Sequence, residues 1–436
     1  MAEAASTDST PAGAATVPGG AVQALMRRHQ DAFLIIGMLL VATCLYLLRS
    51  PAVVTGPTLW AEDGTVFFKD AIERGWSALL APYAGQLLIL SRTAALAASP
   101  FPVSIQPALY GVVAIAIAVL SCGLVLSSRW RDPVPLGVRF VCLLALLCAP
   151  GIAEAHGRLA NAHWWLGIGL LLLGMLRDPA ARWTKRGEIA FAAIGGLTGF
   201  VAIYGIPSLG VRALRNRTRH SWTILGVALA GGAVQLAYLV SSTRRGDLGL
   251  AASDMPGMVL VLAKRVMATA AIGDTTLAVS WPLRSPDAWS LVITLALTAA
   301  LALTWIRGFR IEMAALIATL LGGWIIAIWA MTQPGLSMEM LFWPSGAARY
   351  FLVPVAVLYI SLVVSWPSMG GRWRALSALL AVLLLTSISS DYRLSGRVTH
   401  DADDWSRFAS CVDTTRRQCT TIVPPDWPLQ VTGRGD

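Results

Sequence analysis

Charged residues are scarce in this sequence, at 13% of 436 residues, while hydrophobic residues make up 56%. A soluble domain needs about 25% charged residues to cover its surface. The scarcity excludes an ordinary soluble protein, and the hydrophobic content excludes a chain that is disordered throughout. The formal net charge of +10 is therefore no sign of nucleic-acid binding. We expect a membrane protein without a nucleic-acid partner.

The sequence also lacks several motifs of soluble enzymes and metal-binding modules. It has no CxxC pair, no Cys/His spacing typical of zinc sites and no Gly-rich loop that would cradle a nucleotide phosphate. Use of a nucleotide sugar on the cytosolic side is therefore disfavoured. We find no internal repeat, which counts against a transporter without excluding one.

Cysteines are few, six in all, and fall into two groups. Four lie in apolar stretches, where Cys behaves as a small hydrophobic residue. Cys411 and Cys419 lie in the polar carboxy-terminal segment. The topology described below places that segment in an oxidising compartment, so a disulfide between them is expected, with two free surface thiols as the alternative.

Apolar stretches close to the ~20 residues that cross a bilayer recur along the chain. They predict an all-α polytopic fold with about nine full transmembrane helices. Between the fourth and fifth lies Ile189–Val211, which Gly195-Gly196, Gly199 and Gly205-Ile206-Pro207 interrupt. We expect this piece to enter the membrane and return as two short helices, for about eleven crossings in all. The nine stretches are Phe33–Leu48, Ile105–Ser127, Val138–Ala155, His163–Leu176, Trp222–Val240, Trp289–Ile306, Met313–Met331, Phe351–Trp366 and Ala375–Ser389.

Arginine is concentrated in the short loops between these stretches, and most acidic residues lie in the long ones. Because basic loops stay in the cytosol, the amino terminus is expected inside and the carboxy terminus outside. Arg27 and Arg28 before the first stretch also fit a signal peptide, but no convincing cleavage site follows, so an uncleaved helix is favoured.

This topology predicts three parts of the chain. They are a disordered cytosolic tail over residues 1–30, a transmembrane domain over residues 31–390 and a small periplasmic or extracellular segment over residues 391–436. The transmembrane domain carries two long outer loops, at residues 51–104 and 241–288.

The start of the first outer loop carries two adjacent carboxylates, Glu62 and Asp63, beside Trp60. Carboxylates at a membrane interface cost free energy unless they cap a helix, pair or react. Asp63 precedes a helical period and fits an N-cap. A structural cap is therefore the alternative to a catalytic carboxylate.

Two juxtamembrane helices are predicted in the rest of this loop. From Val66 to Leu80, apolar and charged residues recur at helical spacing, as in an amphipathic helix that lies in the interface. Tyr83–Ala98 is apolar but contains Gln86 and Arg92. A full crossing here would reverse every later loop and lose the arginine asymmetry, so we expect a second interfacial or partly inserted helix.

Short motifs in this loop carry a family resemblance. The string Trp60-Ala61-Glu62-Asp63-Gly64, followed by Pro82-Tyr83-Ala84-Gly85 and Ser91-Arg92, resembles the first outer loop of bacterial membrane proteins related to the C-type (GT-C) glycosyltransferases. Weaker echoes lie at residues 161–164 and 348–351. The resemblance implies a GT-C-like transmembrane domain in the bacterial inner membrane. It also implies a polyprenyl-phosphate-linked sugar as donor, a cell-envelope glycan or lipid as acceptor, and Asp63 or Glu62 as the general base.

Transfer from such a donor needs a cation that stabilises the departing phosphate as well as a base. Guanidinium groups bind phosphate bidentately, so Arg92, Arg158 and Arg349 are the candidates, with snorkelling as the alternative for Arg349. A divalent metal such as Mg²⁺ or Mn²⁺ is compatible with this chemistry, but His156 and His163 are only a weak metal signal. The other predicted substrate-binding residues are Trp60, Tyr83, Asn161, His163 and Tyr350.

Two other functions stay open at this point. A transporter or flippase for a lipid-linked saccharide would carry charges near the middle of its spans and discontinuous helices there. The broken Ile189–Val211 pair keeps that alternative open. A non-catalytic membrane partner in envelope assembly would tolerate the loss of the Asp63 charge.

Overall fold

The computed structural model describes residues 19–131, 133–241, 261, 263–274, 348–365, 370–394 and 402–435. Within these ranges the chain is mostly helical, with one two-stranded sheet near the carboxy terminus. The predicted spans Trp289–Ile306 and Met313–Met331 lie outside the described residues, as does most of the predicted second outer loop.

Fourteen α-helices are described, together with short 3₁₀ and π segments. The α-helices are α1 (Gly19–Leu48), α2 (Ala52–Thr55), α3 (Lys69–Arg74), α4 (Ile89–Ala98), α5 (Gln106–Gly123), α6 (Leu136–Leu147), α7 (Ala162–Met175), α8 (Arg182–Gly196), α9 (Ala202–Asn216), α10 (Arg219–Ser241), α11 (Thr269–Ile272), α12 (Leu352–Ser365), α13 (Gly371–Ser390) and α14 (Ala402–Thr414). The π segments are Asp63–Phe68 and Ala263–Ala268, and the 3₁₀ segments are Gly75–Leu80, Val103–Ile105, Leu124–Leu126, Leu159–Asn161 and Ala348–Phe351.

Three stretches of the described helices are long and apolar enough to cross a membrane: Gln30–Leu48, Val103–Leu126 and Arg219–Ser241. Four shorter apolar helices of 10 to 17 residues accompany them. A helix rises about 1.5 Å per residue, so helices this short do not match the ~30 Å hydrocarbon core by length alone. The chain is a membrane protein, but the predicted count of nine full crossings is not confirmed.

The chain divides into two compact units, Met1–Val41 and Ala42–Asp436. In the first unit the described residues belong to α1, which already begins at Gly19. This helix therefore begins within the range 1–30 that we predicted as a tail. All the features below belong to the second unit.

The predicted pair of short helices is present as α8 and α9, and they are separated at the predicted interruption around Gly199 but not at Gly205-Ile206-Pro207. The chain turns at residues 197–201, where Gly199 has φ +74°, and α9 continues through Pro207. Gly205 serves close packing instead, because a Cβ at this position would lie 2.4 Å from Leu170 Cβ on α7. The glycine that we predicted as a helix break is therefore a contact point between two helices.

The 51–104 loop is only partly the predicted pair of amphipathic helices. Residues 63–80 form three consecutive short segments, π, α and 3₁₀, rather than one helix. Trp76 is 81% exposed at the end of this stretch, as expected of an interfacial side chain. The second helix covers only Ile89–Ala98, because Tyr83 and Gln86 exchange backbone hydrogen bonds of 2.9 and 3.0 Å and close a tight turn.

The carboxy-terminal segment corrects the all-α prediction. After α14 the chain forms an antiparallel hairpin of β1 (Gln418–Val423) and β2 (Trp427–Thr432), with Gln418 opposite Thr432 and Val423 opposite Trp427. A disulfide joins Cys411 of α14 to Cys419 of β1. We call residues 402–435 the carboxy-terminal cap.

Candidate active site

Glu62 and Asp63 stand at the start of the π segment of the 51–104 loop. Glu62 occupies the N-cap position and makes no side-chain cap hydrogen bond. Asp63 is the first residue of this segment and does not occupy its N-cap position. Asp63 is 2% exposed, whereas Glu62 is half-buried and remains accessible.

The Asp63 carboxylate binds a distant part of the chain. Its Oδ1 accepts a 2.6 Å hydrogen bond from the backbone N–H of Ala160. Ala160 belongs to the 3₁₀ turn Leu159–Asn161 before α7, and its carbonyl lies 2.8 Å from His163 Nδ1. Asn161 Nδ2 donates to the Glu154 carbonyl at 2.7 Å. Asp63 thus fixes this polar turn against the 51–104 loop.

Glu62 contacts the tight turn of the same loop. The Tyr83 hydroxyl donates to Glu62 Oε1 at 3.4 Å. Ala84 and Gly85 in this turn have φ of +50° and +74°, which the reciprocal Tyr83–Gln86 hydrogen bonds hold. The motif Pro82-Tyr83-Ala84-Gly85 is therefore a turn that brings a phenol to the Glu62 carboxylate.

Arg158 and Arg349 bring two guanidinium groups to Trp60 and Glu154. We call these four residues, together with Glu62 and Asp63, the cluster. Arg158 lies 3.4 Å above the Trp60 ring, a cation–π contact. Arg349 Nη1 lies 3.3 Å from Glu154 Oε2. The Arg349 side chain is 26% exposed. Snorkelling alone therefore does not account for Arg349, because its guanidinium group has a specific carboxylate partner.

Aromatic rings border the same cluster. Trp164 packs edge-on against Tyr350 with ring centroids 5.4 Å apart, and it lies 5.0 Å from the His163 ring. Trp164 is 5% exposed, and its Nε1 has no hydrogen-bond partner in the described structure. The weaker echoes at residues 161–164 and 348–351 thus meet each other beside the 51–104 loop.

Arg92 occupies a different environment from the one predicted. Its side chain is 1% exposed and makes a 2.8 Å ion pair with Asp70, and it lies above the Phe67 ring at 5.6 Å. These contacts tie α4 to α3 and the π segment. A side chain so enclosed holds the loop together, and we no longer assign it a phosphate.

Two cations near this cluster were missed from the sequence. Lys264 and Arg265 belong to the π segment Ala263–Ala268 and are almost fully buried. Arg265 lies 5.1 Å from the Phe351 ring and 3.2 Å from Asp274. The available signal was an adjacent Lys-Arg pair inside an otherwise apolar stretch, which is uncommon in membrane proteins unless the charges pair.

A metal site is not evident in the described part of the chain. No group of three or more His, Cys, Asp or Glu residues there is arranged to hold an ion. His163 contacts a backbone carbonyl, and His156 packs on Tyr46 at 4.1 Å. These donors do not fit a divalent cation, so we assign no step to one.

Comparison with known proteins gives little to add to this geometry. No protein-family model matches the chain, and no curated protein matches it. Among solved structures, it is similar to the oligosaccharyltransferase of Archaeoglobus fulgidus tethered with an acceptor peptide, at 14% identity and a TM-score of 0.40. The similarity covers 86% of this chain but 57% of that enzyme, so this chain spans less than two thirds of its length.

Proposed function

We propose that this protein is a membrane glycosyltransferase that moves a sugar from a polyprenyl-phosphate donor to a hydroxyl group of a cell-envelope glycan or lipid. The observation that supports it is the placement of two guanidinium groups beside the segment that carries the accessible Glu62 carboxylate. Arg158 lies 3.4 Å from the Trp60 ring, and Arg349 pairs with Glu154, whose carbonyl binds Asn161 in the turn that Asp63 holds. The residues come from three separate parts of the sequence. A base and a phosphate-binding cation are the two groups that this transfer requires.

The roles within the pair of carboxylates follow from their surroundings. Glu62 is half-buried and hydrogen-bonded only loosely to Tyr83, so an acceptor hydroxyl can reach it. Asp63 is buried and bound to the Ala160 amide. We assign the base to Glu62, and we assign to Asp63 the role of holding the Leu159–Asn161 turn beside it.

The transfer then balances without a further reactant. The acceptor oxygen forms a bond to the anomeric carbon as the bond from that carbon to the phosphate oxygen breaks. Glu62 takes the acceptor proton, and the bonding pair leaves with the lipid phosphate. Arg349 has guanidinium N–H groups beyond the one directed at Glu154, and we assign these to the phosphate. Arg158 adds positive charge from its place on Trp60.

An apolar cavity next to this cluster supports a lipid-linked donor. It has a volume of about 420 Å³ and lies between α9 and α10, lined by residues such as Phe200, Ile206 and Leu236. That volume is within the roughly 300–1,000 Å³ of small-molecule sites. Its Gly199 end adjoins the cluster, since a Cβ there would lie 3.3 Å from the His163 ring. We assign the cavity to hydrocarbon of the polyprenyl chain.

The test uses the full-length protein in vesicles with radiolabelled polyprenyl-phosphate hexoses and pentoses and extracted envelope lipids and glycans. Wild-type protein is expected to move label into an acceptor, and Glu62→Gln is expected to abolish transfer. Asp404→Asn, which changes an exposed acid of the carboxy-terminal cap, serves as the matched control. Label that crosses the bilayer without changing its linkage would instead identify a flippase, and equal transfer by both variants would overturn the assignment of Glu62.

A further inference from the structure

The backbone just before the two carboxylates is held from the far end of the chain. Ala61 has φ +34°, a region that non-glycine residues rarely adopt and that persists only where surrounding contacts enforce it. Its N–H donates a 2.7 Å hydrogen bond to the carbonyl of Pro424, in the turn of the β1–β2 hairpin. The direction in which Glu62 and Asp63 leave Ala61 therefore depends on the carboxy-terminal cap.

Polar contacts also attach the cap to α3 and to the segment that follows α4. Glu73 of α3 accepts a 3.0 Å hydrogen bond from the Thr432 N–H. Asp413 of α14 accepts one of 3.0 Å from the Val103 N–H. Arg434 donates to the carbonyls of Ser99 and Phe101. These bonds place the cap at several fixed points on the 51–104 loop.

A shared apolar core completes the attachment. The Phe68 ring lies 6.4 Å from Trp405 and 6.1 Å from Phe408 of α14. Cys419 and Val423 of β1 are buried in the same cluster as Phe68. Burial of these side chains removes apolar surface from water and so stabilises the contact. The cap is thus packed on the segment that carries the carboxylates.

We propose that the carboxy-terminal cap is a positioning element for Glu62 and Asp63, acting through the Pro424 carbonyl and the contact between the hairpin and the π segment. This inference rests on the proposed function only for its catalytic consequence. Among the described residues, the cap contacts given above are with the 51–104 loop and not with the donor cavity or Arg349, so loosening the cap should displace the base first. A displacement of about 1 Å at a reacting group costs up to about a hundredfold in rate.

Gly64 offers a way to separate the cap from the loop by one methyl group. A Cβ at Gly64 would lie 3.0 Å from Val423 Cγ1, closer than side chains normally approach. Gly64→Ala therefore pushes the hairpin away, and Val423→Ala removes the methyl groups that it meets. The double variant should restore the contact. Gly187→Ala is the matched control, because a Cβ there meets nothing within 4 Å.

Two measurements are made on the full chain in vesicles. Hydrogen exchange reports the Ala61 amide, which we expect to exchange about tenfold faster in Gly64→Ala and near the wild-type rate in the double variant. Transfer kinetics report whether the base is correctly placed. In Gly64→Ala, kcat should fall about tenfold to a hundredfold with KM for the donor unchanged, and the double variant should recover the wild-type kcat. Gly187→Ala should match the wild type in both.

The outcomes separate this inference from the proposed function. Unchanged exchange at Ala61 in Gly64→Ala, or a loss that Val423→Ala does not relieve, overturns the positioning role. If the wild-type protein transfers no sugar at all, the proposed function fails, while rescue of the Ala61 exchange rate would still establish that the cap holds this segment. A rise in KM with unchanged kcat would place the effect on donor binding and contradict the inference.

Discussion

The Asp63 carboxylate and the Ala160 amide, 97 residues apart in the chain, are joined by a 2.6 Å hydrogen bond. Asp63 is 2% exposed, and a hydrogen bond to a charged acceptor contributes about 1.5–3 kcal/mol. This one bond links the loop that carries Glu62 to the turn that precedes α7. The two adjacent acids therefore have separable tasks, since one faces the backbone and the other faces Tyr83.

Substitution of the two acids should separate these tasks. Glu62→Gln is expected to reduce transfer by about 10²- to 10⁴-fold, the usual contribution of a general base, and to leave the melting temperature unchanged. Asp63→Asn keeps an acceptor but loses its charge, so it should lower the free energy of unfolding by about 1–2 kcal/mol as well as activity. Transfer assays and thermal unfolding of the purified variants measure both effects. Full activity in Glu62→Gln with none in a folded Asp63→Asn would assign the base to Asp63.

Arg349 is the phosphate-binding residue that can be tested most directly. Arg349→Lys keeps the charge but not the bidentate geometry, so KM for the lipid donor should rise about tenfold, and Arg349→Ala should raise it further. Arg74→Ala removes an exposed guanidinium of the same loop and serves as control. Donor titrations in vesicles give the values. An unchanged KM in Arg349→Ala would remove this residue from the donor site.

Individual parts of the site were predictable from the sequence, but their assembly was not. Glu62 and Asp63 stand out because two acids at an interface need a reason, and Arg349 stands out for its neighbours. Their meeting depends on pairings such as Glu154 with Arg349, which are 195 residues apart. No local period or propensity encodes a contact of that separation.

Several residues have partners that the local sequence did not indicate, because tertiary contacts override local signals. Gly205 before Pro207 predicts a helix break, but α9 continues through Pro207 and Gly205 packs closely against Leu170. Asp63 also fits an N-cap by residue type, but its carboxylate accepts a hydrogen bond from the Ala160 amide. Arg92 predicts a phosphate contact, yet Asp70 lies 2.8 Å away. In each case the residue type indicated a specific interaction, but the sequence did not indicate the partner.

Asp178, in the turn between α7 and α8, should make stability dependent on pH. Burial alone would raise the pKa of its carboxyl, but hydrogen bonds from Thr218, Ser221 and Arg212 and the Arg212 charge hold it below its usual range. A folded pKa below the unfolded value of about 3.9 stabilises the protein above that pH and loses the effect as the pH falls further. The gap in melting temperature between wild type and Asp178→Asn should therefore be largest near pH 7 and shrink below about pH 4. Asp403→Asn, at an exposed site, should show no such gap, and a gap for Asp178→Asn that stays constant with pH would contradict the role of its charge.

The apolar cavity between α9 and α10 should determine which donors bind. Ala233→Phe places a ring in a space lined by Ile206 and Leu236, so KM should rise about tenfold or more for a long polyprenyl donor, as expected when apolar contact is lost. A donor with a very short prenyl chain should be affected much less, because it does not fill the cavity. Leu236→Met keeps the volume and is the control. Equal effects on both donors would place the hydrocarbon elsewhere.

The Cys411–Cys419 disulfide should stabilise the carboxy-terminal cap and, through it, Ala61. The bridge joins α14 to β1 across a separation of 8 residues, and closing a loop of that size contributes about 2–3 kcal/mol by the chain-entropy estimate. The double variant Cys411→Ser/Cys419→Ser should therefore unfold its cap earlier in denaturant and expose residues 402–435 to protease. Because the Pro424 carbonyl binds the Ala61 N–H, the Ala61 amide should exchange faster in the same variant. Cys44→Ser removes a free thiol and should change neither the protease resistance of the cap nor the exchange rate of the Ala61 amide. If the serine pair leaves protease resistance and exchange as in the wild type, then the apolar core around Phe68 holds the cap without the covalent bond.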